Sequence, residues 1–582
     1  MRAAPSIAAS SRTRRRLGLI VVAAAVSLVA VLRVVQAAPS NAVLTAPTVG
    51  AIGGDNIGST VLSAADVGRY RTIFQLQKES RWVEADREIA RVHNRVLLGY
   101  VLYQRYMAPR FYSTYRDLAS WLQHYASLPG ADRIYRLALS RKPARAARPR
   151  PPAAPELGAW ASQGPRPYVA APVRAATFHI APARLDHARW LARVAADRYY
   201  AGRDRDAYRL AQAAVKASEG TVAEADWIAG LSAWRLGHIG DAAKGFTALV
   251  RAPDATSWQS SAGAYWAARA YLKNGEPQRV NEFLVIAAQY PRTFYGLLAS
   301  RQLGLNVNYL YNWSLPAFSR EQREALARLP GVEQARALAQ VGQYQIASDE
   351  VRRLYGAADE EARAYFLNLA AKLRLPALAL TLGKYWQQYH GEAYDAALFP
   401  VPHWAPTGGF TLDPALVYAF MRQESAFRVE ARSQVGAKGL MQLMPQTAYA
   451  VAEGHARVAT ASKLYEPDLN IRLGQRYLKQ LLGHPEVRDN LVFLAIAYNA
   501  GPGGLQHWLQ TIHYDNDPLL LVESLPSRET RQFVEHVLTN YWIYSEQLHS
   551  HMPTLHALAD GNWPYYVATS NPSISVAEDD SH

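Results

Sequence analysis

The chain of 582 residues contains no cysteine. That excludes disulfides, thiolate-bound metal and lipid attachment through a cysteine near the N-terminus, so stability has to come from a large core. Its histidines are scattered: His484, His507, His513 and His536 have no zinc-like spacing, and no metal or cofactor is indicated. Acidic residues are missing from the first 37 positions, which hold six arginines. Arg12, Arg14, Arg15 and Arg16 precede an uncharged apolar run, Leu17 to Leu32, that is shorter than the roughly 20 residues a spanning helix needs. With Val35-Gln36-Ala37 as a cleavage site, residues 1–37 read as a secretory signal, with an uncleaved anchor as the alternative. Removing them lowers the formal charge from +15 to +9. A positive balance attracts polyanions, and export argues against nucleic acid, leaving peripheral association with membrane or wall. Ordinary solubility charge explains the same balance.

What is present is apolar and periodic. Hydrophobic residues make up 49% of the chain and charged ones 19%, a foldable composition, and the length allows about three or four units. Residues 38–64 form a flexible leader with little charge or periodicity. Over 65–140 apolar positions recur at helical spacing, including Ile73, Trp82, Tyr100, Leu118 and Trp121. Residues 141–181 are rich in Pro, Arg and Ala and read as an extended linker or a disordered loop; a solvated spacer is the simpler role, wall binding the other. Residues 182–395 carry alanine and aromatic helix pairs, such as Trp227 to Gly237 and Ala264 to Ala270, separated by Gly or Asn-Gly turns. These predict a helical solenoid followed by linker helices, with the aromatics as core. A tetratricopeptide array is the alternative, with peptide binding as its usual function. Residues 396–565 form a compact C-terminal domain, and 566–582 a disordered tail.

Chemistry concentrates between Leu412 and Pro445. Asp413 can cap a helix whose first residue is Pro414, and the helical spacing puts Glu424 near its C-terminal end with apolar neighbours one and two turns back. Burial and the negative end of the helix dipole should both raise its pKa, leaving a protonated acid near neutrality. Alone, a glutamate on an amphipathic helix is usually a solvated surface group. Its company changes that: Glu424-Ser425, then Gly439-Leu440-Met441-Gln442-Leu443-Met444-Pro445, then Ala497-Tyr498-Asn499-Ala500-Gly501.

These three motifs, in this order, resemble the catalytic domain of the soluble lytic transglycosylases, lysozyme-like enzymes that cut the glycan strands of bacterial peptidoglycan. Trp121 to Tyr125 with Ile134 to Ala138, and Tyr290 to Leu298, are similar to the family's helical region. The resemblance implies an all-α chain in which a superhelical solenoid precedes a lysozyme-like catalytic domain. It further implies a periplasmic enzyme acting on the β-1,4 bond between N-acetylmuramic acid and N-acetylglucosamine and leaving a 1,6-anhydromuramoyl end. Glu424 would be the single acid and base, the substrate's N-acetyl group would assist, and Ser433, Gln442, Tyr498, Asn499 and Glu523 would bind or orient the sugar. Glu529 and Arg531 read instead as a helix cap and a salt bridge. No second carboxylate stands in a motif like that of a nucleophile. A lysozyme-type hydrolase and a non-catalytic wall-binding scaffold are the alternatives.

Overall fold

The computed structural model describes residues 60–162, 180–306, 310–452 and 461–567. The signal expected at 1–37, nearly all of the leader and the tail beyond Val567 lie outside them. Among the described residues the chain is helical and has no β-strand; pairing is confined to isolated bridges, two of which, Arg432 with Lys438 and Lys438 with Leu443, shape one loop.

The solenoid runs from Pro182–Tyr200 to Phe294–Gln302 through successive helices, among them Ala223–Arg235, Ile239–Arg251 and Ser257–Lys273. Small residues let their axes approach. A Cβ on Gly245 would meet the Gly230 backbone nitrogen at 2.9 Å, and one on Gly230 would meet the Phe246 ring at 2.5 Å. Trp266 is fully buried against Trp234, with ring centroids 5.2 Å apart, so these aromatics are core, as their spacing predicts.

The helices from Arg320–Ala327 to Pro376–His390 do not extend this stack. They share a core with the first helical region, Ala64–Lys78 to Ala131–Ser140. The Tyr100 hydroxyl donates to buried Glu350 at 2.8 Å, and the Leu62 amide to the Gln340 side chain at 3.1 Å. Residues 141–162 close this unit. They are irregular, with one 3₁₀ turn at Gly158–Trp160, and they are docked rather than loose; residues 163–179 of the expected linker lie outside the described residues. Ala153 N donates to Ala126 O at 2.9 Å, Leu157 is buried, and Ser162 N donates to Ala357 O at 2.8 Å. Backbone pairing, the Arg150 guanidinium donating to Gln123 O at 2.8 Å, and buried Pro149 and Leu157 hold a segment that composition alone describes as a spacer.

The C-terminal domain shares its core with the solenoid. Phe294 of the last solenoid helix stacks on fully buried Trp542 with centroids 5.5 Å apart. Arg292 grips Asp395 with two bonds of 2.6 and 2.5 Å, and that buried carboxylate also accepts the Asn312 amide at 2.7 Å. Asp395 opens the short helix Asp395–Leu398, all four residues of which are buried. The C-terminal domain is thereby clamped at its first residues.

Candidate active site

Helix Pro414–Ser425 begins as its sequence predicts: Asp413 accepts the Ala415 amide at 2.9 Å, and Pro414 occupies the first turn. All of its first eight residues are buried, and Arg422 anchors its last turn by donating to Asn540 Oδ1 at 2.6 Å and to Leu398 O at 3.1 Å. Left-handed Ala426, with φ 49°, ends the helix. Glu424 therefore stands on a rigid support, one residue from the terminus.

It opens into a cleft of about 540 Å³ that Ser433, Gln442 and Asn499 also line. Ser433 closes a tight loop: its amide donates to Ala437 O at 3.0 Å, and the Ala437 amide donates to its Oγ at 2.9 Å. Gln442, in the left-handed region at φ 45°, donates through Nε2 to Gly439 O at 2.8 Å and Ala431 O at 3.1 Å. Its amide oxygen is thus the atom left for a ligand. Asn499 is oriented from the opposite side: its Oδ1 accepts the Thr530 hydroxyl at 2.7 Å, so its NH₂ group is the one left to donate. The chain turns just beyond, at Gly501 with φ 80°, before Pro502 starts a second helical stretch.

Two of the residues expected in the cleft lie elsewhere. Tyr498 sits behind it, between Phe420, Tyr477 and Phe533, and donates its hydroxyl to Met441 O at 2.7 Å. That bond ties down the Gly439–Gln442 loop, and the hydroxyl stays close enough to Glu424 to feel its charge. Glu523 is 4% exposed and faces the solenoid, where it accepts the Tyr295 hydroxyl at 2.5 Å. Helix Pro518–Ser524 is buried along its whole length, so no side chain on it reaches the cleft.

The structure adds residues that the motifs did not single out. Helix Arg528–Gln547, capped by Ser527 rather than by Glu529, turns Glu529, Gln532, Phe533 and His536 to the cleft. These positions recur at three and four residues, one face of a helix. Asn470 is the other addition. Fully buried, it accepts the Met441 amide at 2.8 Å and donates to Lys438 O at 3.0 Å and Leu464 O at 2.8 Å, pinning the loop that carries Gln442. It lies on the apolar stripe of Pro467–Leu482 with Gly474, Leu478 and Leu481, a polar residue at a core position that the periodicity itself flags.

Electrostatics follow from this packing. Glu424 keeps part of its surface open to solvent, as a group that must touch a substrate does. The cleft walls nevertheless desolvate it, and this burial, followed by the negative charge of Glu529, pushes its carboxyl up to about 8. Burial was expected; the charge partner was not. His536 is pushed down to about 4 by burial and then by Arg422 and Lys384, and stays neutral near pH 7. A second cavity of about 520 Å³ at the seam with the solenoid holds none of the motif residues, and Arg269 is tied there to Asp517 at 2.5 Å.

Residues 405–517 match the family described as the Transglycosylase SLT domain. The soluble lytic murein transglycosylase of Escherichia coli K12 is 29% identical over 296 residues, covering 50% of this chain and 44% of its own length. A putative soluble lytic murein transglycosylase of Haemophilus influenzae is 27% identical over 319 residues, covering 51% and 50%. The chain spans about half the length of the curated relatives it matches. Two solved structures share the fold. The 70 kDa soluble lytic transglycosylase of Escherichia coli superposes with a TM-score of 0.51 at 18% identity, over 86% of this chain and 99% of that one. An inactive mutant of the lytic transglycosylase Slt from Pseudomonas aeruginosa gives 0.50 at 22%, over 84% and 74%. Fold and cleft thus define a helical solenoid joined to a lysozyme-like domain. The chain is similar to the soluble lytic murein transglycosylases.

Proposed function

We propose that the chain is a peptidoglycan lytic transglycosylase of the periplasm, with Glu424 as its general acid and then its base. The observation that carries this reading is a carboxyl held protonated near neutral pH on a rigid helix end, facing a polar cleft. Glu424 protonates the oxygen of the β-1,4 bond between N-acetylmuramic acid and N-acetylglucosamine. The substrate's N-acetyl oxygen meets the positive charge that develops at the anomeric carbon. Glu424, now ionised, removes the proton of the sugar's own 6-hydroxyl, which closes a 1,6-anhydro ring. The Asn499 NH₂ group and the Gln442 oxygen are placed to hold the sugar's acetamido and hydroxyl groups. The products' masses test this reading, because ring closure leaves an end lighter by one water than hydrolysis does.

One observation favours a second reading. Glu529 supplies the second carboxylate that sequence motifs did not offer, and a pair of carboxylates is what a hydrolase uses to activate water. In the transglycosylase reading Glu529 acts on Glu424 through its charge. Replacing it by glutamine removes that charge, so the Glu424 pKa falls and the alkaline limb of kcat/KM moves to lower pH. A pH–rate profile of Glu529→Gln checks this. An unmoved limb with turnover lost at every pH would mark Glu529 as a participant in the chemistry.

A further inference from the structure

We propose that the solenoid sets the position of the cleft wall through a carboxyl pair, buried Glu523 and half-buried Glu535, held by Tyr295, and that these three are positioning residues for the reaction. The inference rests on the transglycosylase reading of the cleft.

Helix Arg528–Gln547 has two working faces. Glu529, Gln532, Phe533 and His536 face the cleft, whereas Trp542, two turns on from Glu535 and on the same side of the helix as it, packs against Phe294 of the solenoid. Tyr295, the next residue, is 1% exposed and donates its hydroxyl to Glu523 at 2.5 Å. Glu523 and Glu535 are hydrogen-bonded to each other, which requires one proton between the two carboxyls. Burial and then the charge of Glu523 push Glu535 well above the usual range, so Glu535 carries the proton and donates it. Burial raises the Glu523 carboxyl as well, and the Tyr295 hydroxyl and then the positive charge of Arg531 oppose that rise.

The same segment is gripped at two further points of the solenoid. Tyr199 and Ser524 hydroxyls are 3.1 Å apart, and the Arg531 guanidinium lies 3.8 Å over the Tyr200 ring. Apolar packing tolerates sliding; a chain of directional bonds through paired carboxyls does not, because a shift leaves a carboxylate without its donors. Glu535 adjoins cleft-lining His536 and is six residues from Glu529. A shift at the pair therefore moves the charge that sets Glu424, and a misplacement of about 1 Å is enough to cost up to about a hundredfold in rate.

The test uses the full chain and isolated, uncross-linked glycan strands. Tyr295→Phe, which removes one donor and no volume, lowers kcat about tenfold and leaves KM within about twofold. Adding Glu523→Gln, whose neutral amide needs no tyrosine donor and still accepts from Glu535, restores kcat to within about threefold of the parent. In hydrogen exchange, Tyr295→Phe speeds the amides of Arg528–Gln547 and leaves those of Pro414–Ser425 unchanged. A Tyr295→Phe enzyme with parental kcat, a double variant no better than the single one, or unchanged exchange over 528–547 overturns the proposal. The exchange result stands even if the parent proves inactive on glycan, an outcome that would overturn the functional reading instead.

Discussion

Glu424→Gln keeps the fold and the affinity for glycan strands and lowers turnover by about three to four orders of magnitude, the upper range for loss of a general acid or base. The amide has the carboxyl's shape and cannot donate the proton. The same change stabilises the protein in alkaline solution. Burial and Glu529 raise the folded-state pKa of Glu424 from 4.5 to about 8, so the parent loses stability as pH rises from about 4.5 and the loss levels off above about 8. Glutamine does not titrate. Its melting temperature should therefore exceed the parent's by a margin that grows between pH 5 and 8. Turnover within about tenfold of the parent, a barrier change of roughly 1.4 kcal/mol, would remove Glu424 from the chemistry.

Gly439→Ala has the largest expected effect on structure. Gly439 has φ 78°, and a Cβ there would sit 2.2 Å from Leu464 O and 2.4 Å from Asn470 Nδ2. Neither neighbour is a flexible side-chain end: one is backbone, and the other is held by two carbonyls and an amide. The loop has to move, and Asn470 then loses its bonds to Lys438, Leu464 and Met441. Strain at a left-handed position adds about 1 kcal/mol or more. The sum is a loss of about 3–5 kcal/mol, at the severe end for a single substitution. Because Gln442 and the Met441 carbonyl that receives Tyr498 share this loop, kcat should fall about a hundredfold as well. Denaturant unfolding and steady-state kinetics on one preparation measure both. Loss of less than about 1 kcal/mol would show that the loop is not pinned where Asn470 holds it.

The sequence disclosed what local periodicity and capping govern. Asp413, Pro414 and the apolar spacing define the helix and place Glu424 at its end. The solenoid helices were equally legible in their small and aromatic residues. What it could not disclose is how one helix is rotated against another. Glu529 reads as a helix cap because spacing says which residues share a face, not whether that face meets a cleft or solvent. Glu523, six residues earlier, was placed in the cleft although its helix is buried on all sides. Asn470 carried a readable signal, an asparagine on an apolar stripe, that no motif drew attention to. Residues 141–162 were described by composition as a spacer because their partners, Ala126 and Ala357, are distant in sequence or on other helices.

The most direct test of the proposed reaction is the mass of its products. A tethered 6-hydroxyl enjoys an effective concentration on the order of 10⁵ M when well oriented, far above that of water, so ring closure should win in a cleft that holds the sugar. Mass spectrometry of peptidoglycan digested by the full chain should find 1,6-anhydromuramoyl ends as the main product, one water lighter than hydrolysis would give. Reducing muramoyl ends in their place would contradict the transglycosylase reading and assign the activation of water to Glu529.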